Sequence, residues 1–218
     1  MAGIRSDHHL GTLTALTAEQ LAVRAGRGGA DAHACFEQVV IRYEERLFNF
    51  LLRRCGKREE AEELAQETFV RAWERIASYD PTWRFSTWLF TIGLRQAVSR
   101  HRKARREVPV ETPERAAPPA RDTGDDHDLG ARLWALAAER LTQDQHTALW
   151  LRYAEDMAVD DIAKVMGKSG VGVRVCLFRA RQALAGMIET PARREVVKDA
   201  TPPRRTSKSG AMMSGGAA

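Results

Sequence analysis

Residues 60–73 read Glu60-Ala61-Glu62-Glu63-Leu64-Ala65-Gln66-Glu67-Thr68-Phe69-Val70-Arg71-Ala72-Trp73. Ala61, Leu64, Ala65, Phe69, Trp73 and then Ile76 recur at three- and four-residue steps, the period of a helix with one apolar face. Glu63 and Glu67 stand four apart and share another face of that helix. Asp80-Pro81 ends the run, because proline cannot continue an α-helix and restricts the residue before it. Upstream, Phe36, Val40, Tyr43, Leu47 and Leu51 form a similar stripe that Gly56 closes. Downstream, Ser86 is expected to cap a third helix that carries Trp88, Leu89 and Ile92 and runs into a basic tract near Arg106.

Beyond this block the composition changes. Residues 107–127 hold Pro109, Pro113, Pro118, Pro119 and Gly124 among acidic residues, the make-up of a flexible linker. Residues 128–190 are helical again by period. Leu129, Leu133 and Leu136 open the block, and Thr142 caps a helix with Gln145, Leu149 and Tyr153. A short helix with Ile162, Ala163, Val165 and Met166 follows and stops at Gly167. The last helix carries Val173, Leu177, Ala180, Leu184 and Ile188. Residues 1–30, ending in Gly26-Arg27-Gly28-Gly29, read as a disordered arm, and 191–218, rich in Pro, Lys, Ser and Gly, as a disordered tail. The expected fold is all-α: two small helical domains, 31–106 (a helical bundle) and 128–190 (a helix-turn-helix), joined by the linker.

Bulk properties narrow the function. The chain has 218 residues, 44% hydrophobic and 29% charged, enough for a core in one large or two small domains. The net charge of +5 hides an asymmetry. Acids gather at Glu59, Glu60, Glu62, Glu63 and Glu67, and bases at Arg100, Arg102, Lys103, Arg105 and Arg106. Opposite clusters fit two partner surfaces, one for a basic protein and one for phosphate; a solvated helix face explains the acidic cluster alone more simply, and the basic run as simply as nucleic-acid contact does. The three cysteines, Cys35, Cys55 and Cys176, are odd in number and have no C-x-x-C spacing, which argues against a disulfide framework or a zinc ribbon and fits a reducing cytoplasm. No window approaches the roughly 18 apolar residues of a membrane span, and the N-terminus has no apolar core of a signal peptide. The expectation is a cytoplasmic protein without membrane insertion.

Two segments carry a nucleic-acid signal. The short helix, Gly167 and the Arg-bearing last helix make a helix-turn-helix pattern, whose second helix would enter the major groove. A plain helical hairpin with basic residues fits the same period. Arg84-Phe85-Ser86-Thr87-Trp88-Leu89, followed by Arg95, Arg100, Arg102 and Lys103, sets aromatics beside cations, as single-strand binding requires. Leu89 reads as core, while Trp83, Phe85 and Trp88 stay open between core and stacking. Paired acids at Glu63 and Glu67 have no His or Asp at a useful spacing, so an enzyme reading is poor.

The segments together resemble the extracytoplasmic-function (ECF) subfamily of sigma-70-type RNA polymerase sigma factors. Residues 60–73 look like that family's signature helix. Phe85-Ser86-Thr87-Trp88-Leu89-Phe90-Thr91-Ile92 resembles its aromatic segment. Tyr153 to Arg181 resembles its C-terminal helix-turn-helix, with Asp161 to Gly167 matching the first helix and turn and Arg179-Ala180-Arg181 its end. The resemblance spans about residues 32–106 and 129–188. It implies a transcription initiation factor with no catalytic activity and no cofactor or metal. Its partners would be core RNA polymerase (the β′ clamp and β flap), promoter DNA and, as is typical of the family, an anti-sigma factor; the protein would be monomeric. By position, Glu63, Gln66, Glu67 and Phe69 would meet the clamp. Phe85, Thr87, Trp88, Arg95, Gln96, Ser99, Arg100, Arg102 and Lys103 would meet the minus-10 element. Lys168, Ser169, Gly172, Arg174, Arg179 and Arg181 would meet the minus-35 element.

This chain also departs from the pattern. Arg95 and Ser99 stand where the family usually has Asn and Asp, and Gly172, Val175 and Cys176 where it often has Thr, Ser and Arg. Each lost polar base contact forgoes roughly 1–3 kcal/mol. Two rival readings follow: a stand-alone helix-turn-helix repressor, in which the acidic helix has no role, and a diverged sigma that acts as an interaction protein without promoter activity.

Overall fold

The structure is a computed structural model that describes residues 13–107 and 140–198, with Trp134 and Ala137. Seven α-helices lie among the described residues: α1 (Ala18–Gly26), α2 (Ala32–Cys55), α3 (Arg58–Arg75), α4 (Phe85–Glu107), α5 (Gln143–Tyr153), α6 (Val159–Met166) and α7 (Gly170–Lys198), with a 3-10 turn at Ile76–Ser78. The all-α expectation holds. The interior of the expected linker, and Leu129, Leu133 and Leu136, lie outside the described residues.

The helix ends follow local chemistry. Gly56 and Gly167 close α2 and α6 in the left-handed region, at φ 78° and 61°, where a Cβ is costly. Thr142 caps α5 as expected: its hydroxyl accepts from the Gln145 N–H while the Gln145 side chain accepts from the Thr142 N–H.

Three expectations change. The arm expected to be disordered over 1–30 is folded from Leu13 onward, whereas residues 1–12 lie outside the described residues. Thr17 and Gln20 form a second capping box, and Leu13, Leu21, Ala22 and Ala25 are buried. Arg42 of α2 then donates to the carbonyls of Leu16 (2.6 Å) and Thr14 (2.8 Å), pinning the segment. The local signal for this helix is a Thr-x-x-Gln cap ahead of a short apolar stripe, Leu21, Ala22 and Ala25.

Second, α4 starts at Phe85 rather than after a Ser86 cap. The Phe85 N–H donates to Oε1 of Glu19 at 3.0 Å, so a carboxylate from α1 caps α4 across a long stretch of chain. Burial disfavours the Glu19 charge, but hydrogen bonds from the Phe85 and Glu19 N–H groups and from Thr17, with Arg84 nearby, outweigh it and hold the carboxyl below its ordinary value of 4.5. Third, α7 continues through Pro191 to Lys198, into the segment read as tail, while 199–218 lie outside the described residues. Ala192, Arg193, Arg194 and Glu195 are good helix formers that carry the run past the proline.

The chain divides into two compact units, Met1–Leu184 and Ala185–Ala218. The first helical block and the second as far as Leu184 fall within the first. There α2 packs on α1, α3 and α4, α5 packs on α6 and α2, and α6 packs on α4. Their buried side chains form one continuous core from Leu21, Leu47 and Leu64 through Phe85, Leu89 and Phe90 to Leu151, Ile162 and Val173.

Candidate nucleic-acid interface

The outer face of α3 comes from its inner one. Ala61, Leu64, Ala65, Thr68 and Ala72 are buried, and 3.6 residues per turn then turn Glu63, Gln66, Glu67 and Val70 outward. Phe69, expected on that face, is instead half-buried against the core. Val70 is exposed on it, and sequence reading did not single it out.

The basic helix α4 lies against α3. Buried Gln96 donates to Thr68 Oγ1 at 3.2 Å, and Thr68 donates to the Leu64 carbonyl at 2.6 Å. This registers the two helices and brings Arg100 over the acids, at 2.8 Å from Glu63 and 2.6 Å from Glu67. Residues assigned in the sequence to two different partners thus pair with each other. Arg95, Ser99, Arg102 and Lys103 are exposed along the outer side of α4.

The aromatic segment is mostly interior. Phe85 is fully buried, in edge and tilted contact with Tyr43, Tyr79 and Trp88 at centroid distances of 5.4–5.6 Å. Thr87 is buried too. The expectation that Phe85, Thr87 and Gln96 face DNA is therefore corrected for this structure: all three are buried, Phe85 and Gln96 on one side of α4 and Thr87 across from them in its enclosed first turn. Trp88 is half-buried. Trp83 remains partly exposed, with the Lys164 ammonium of α6 over its ring at 4.3 Å.

In the helix-turn-helix, Ser169 Oγ accepts from the Gly172 N–H at 3.1 Å and caps α7. Arg174, Arg179 and Arg181 are exposed on α7, and Gly172 is half-buried. Lys168 is drawn to Asp144 of α5 at 3.0 Å. Val171, Val175 and Phe178, absent from the expected contacts, also face outward. The legible signal was a second apolar stripe on a helix whose core stripe, Val173, Leu177 and Ala180, was already accounted for.

Where α2 meets the second block, Arg46 donates twice to Glu155, and Arg53 lies over Trp134 and Trp150 at 5.5 and 4.4 Å. Burial lowers the Arg53 pKa. It also pushes the Glu155 carboxyl up, against the pull of Arg46. These contacts join residues about a hundred positions apart, and no local period reports them.

This geometry, an acid-faced helix beside a basic one and a capped helix-turn-helix, matches what comparison finds. Residues 39–107 match the Sigma-70 region 2 family model and residues 132–184 the Sigma-70 region 4 model. Over 179 residues the chain is 30% identical to the ECF RNA polymerase sigma factor BldN of Streptomyces coelicolor, covering 80% of this chain and 67% of that one. This chain belongs to the ECF sigma factors. The sigma factor is also 29% identical over 187 residues to RNA polymerase sigma-H factor of Pseudomonas aeruginosa, covering 76% and 91% of the two chains. Its fold is similar to the sigma factor RpoE of Bartonella quintana, solved with the anti-sigma factor NepR: TM-score 0.58, 26% identity, 71% of this chain and 96% of that one. Members of this family are DNA-binding transcription regulators rather than enzymes, and this one directs RNA polymerase in transcription initiation.

Among the described residues no helix is long and apolar enough to cross a membrane, and no His, Cys, Asp and Glu cluster is arranged to hold a metal.

Proposed function

We propose that this ECF sigma factor docks on the polymerase clamp through the outer face of α3, with Glu63, Gln66 and Glu67 as the charged and polar contacts. Phe69 supports that face from below. On this reading residues 31–106 are the polymerase and minus-10 domain, 128–190 the minus-35 domain, and 107–127 the linker between them. Arg95, Ser99, Arg100, Arg102 and Lys103 of α4 approach the minus-10 element, with Trp88 at the edge of the melted strand. Phe85, Thr87 and Gln96 hold α4 in place. Lys168, Ser169, Gly172, Arg174, Arg179 and Arg181 approach the minus-35 duplex. The protein works in the cytoplasm, and an anti-sigma factor, the kind of partner solved with the Bartonella quintana relative, is a candidate regulator.

The observation that carries the reading is the sorting of α3: every residue assigned to the clamp except Phe69 is exposed, on one face, while the residues between them are core. DNA affinity gained through these lysines and arginines falls steeply with salt, because each neutralised phosphate releases counterions. The test is transcription by a holoenzyme reconstituted from core polymerase and this protein on a promoter library. Discrete, sigma-dependent start sites are expected. Tight polymerase binding without any such transcript would instead favour the diverged, promoter-inactive reading suggested by Arg95, Ser99, Val175 and Cys176.

A further inference from the structure

The exposed side of α7 has an apolar centre. Val171, Val175 and Phe178 are 66%, 41% and 57% exposed. They stand at i, i+4 and i+7, so they form one continuous stripe, which exposed Gln182 extends. Arg174 and Arg181, seven apart, run along one flank of the stripe. Arg179 lies on the other flank, and all three are exposed. Val173, Leu177 and Ala180 occupy the opposite, buried side.

A stripe of this kind needs an occupant with a matching cross-section: anionic on two parallel edges and apolar along the middle. A protein helix would have to supply two acidic rows on either side of an apolar one. The major groove has this cross-section by construction. Phosphates line both edges, and the groove floor exposes one apolar group, the 5-methyl of thymine. Val175 and Gly172 also lack the hydroxyls that could bond the polar edges of other bases.

We propose that Val171, Val175 and Phe178 are specificity-determining residues that read thymine methyl groups in the upstream promoter duplex, while Arg174, Arg179 and Arg181 hold the flanking phosphates. The inference rests on the reading of α7 as the minus-35 helix and adds the class of base it selects. Recognition here is by apolar contact, so it is indifferent to hydrogen-bonding pattern at the contacted positions.

The experiment uses the full-length protein in holoenzyme with core polymerase and a promoter library randomised over the upstream element. Selected sequences are expected to carry thymine at two or more fixed positions. Each selected thymine is then replaced by deoxyuridine, which removes the methyl and nothing else. Binding should fall about fourfold per contacted methyl, the fold-change of one buried methyl-sized group. The Val175→Ser holoenzyme should lose the thymine–uracil difference at one position and keep it at the others. A holoenzyme that initiates and binds thymine and uracil duplexes equally overturns this inference and leaves the promoter-binding reading intact. So does a Val175→Ser protein that weakens a protein complex but selects the same sequences as the parent. A protein that neither selects a sequence nor initiates overturns both.

Discussion

Arg46 of α2 places two hydrogen bonds, of 2.9 and 2.5 Å, on one carboxylate oxygen of Glu155, whose side chain is only 2% exposed. It is an ion pair that ties the two helical blocks together. The pair is asymmetric, because the Arg46 side chain is 42% exposed while Glu155 is interior. Removing the arginine leaves an uncompensated buried carboxylate. Removing the carboxylate leaves a guanidinium that water can reach.

Arg46→Ala is therefore expected to cost more stability than Glu155→Gln. The full penalty for orphaning a buried charge is about 3–5 kcal/mol, and exposure of the arginine reduces it to about 1–3 kcal/mol. Urea unfolding midpoints of the two variants check the order. Equal losses would mean that the tie is as solvated as an ordinary surface pair.

Arg100 covers both acids of the proposed clamp-binding face. Exposed pairs are worth about 0.2–1 kcal/mol each, so Arg100→Ala should change the melting temperature little. It should, however, uncover Glu63 and Glu67 for a basic partner. The expected outcome is core polymerase binding that is equal or a few-fold tighter, with weaker promoter binding by the holoenzyme. Fluorescence titrations with core polymerase, then with promoter DNA, separate the two effects.

Glu19 caps α4 from α1, and its carboxyl titrates below 4.5 when folded. A depressed carboxyl contributes stability that is fully present above its unfolded value and is lost as pH falls through the folded one. Glu19→Gln should thus be less stable than the parent by about 1 kcal/mol at pH 7, the size of a lost cap. The gap should close as pH falls below 4.5 and through the lower folded value. Chemical denaturation at several pH values reads it directly, and a gap that widens in acid would refute the cap.

Much of this was legible in the sequence, for reasons that also mark where legibility stops. The stripes of α2 and α3 and the Thr142 cap are encoded within one or two helical turns, so period and cap chemistry reveal them. The same local rule holds for Thr17 and Gln20 at the start of α1, although glycines crowd the sequence just beyond that helix. Resemblance places Phe85 and Gln96 on DNA, whereas their side of α4 is set by packing on Tyr43, Tyr79 and Thr68, residues outside their own segment. Arg46–Glu155 and the Glu19 cap join distant segments and are properties of the tertiary arrangement. The outward stripe of α7 lay within reach, since a helix needs only one apolar face to be held.

The central claim is that the acidic face of α3 binds core RNA polymerase. Its most direct test is an equilibrium titration of the purified protein against core enzyme, with a Glu63→Lys, Glu67→Lys variant alongside and circular dichroism on both. The account predicts tight binding by the parent and a loss of at least roughly tenfold, or about 1.4 kcal/mol, in a variant of unchanged helicity. A well-folded parent that does not bind, or a variant that binds as the parent does, would contradict it.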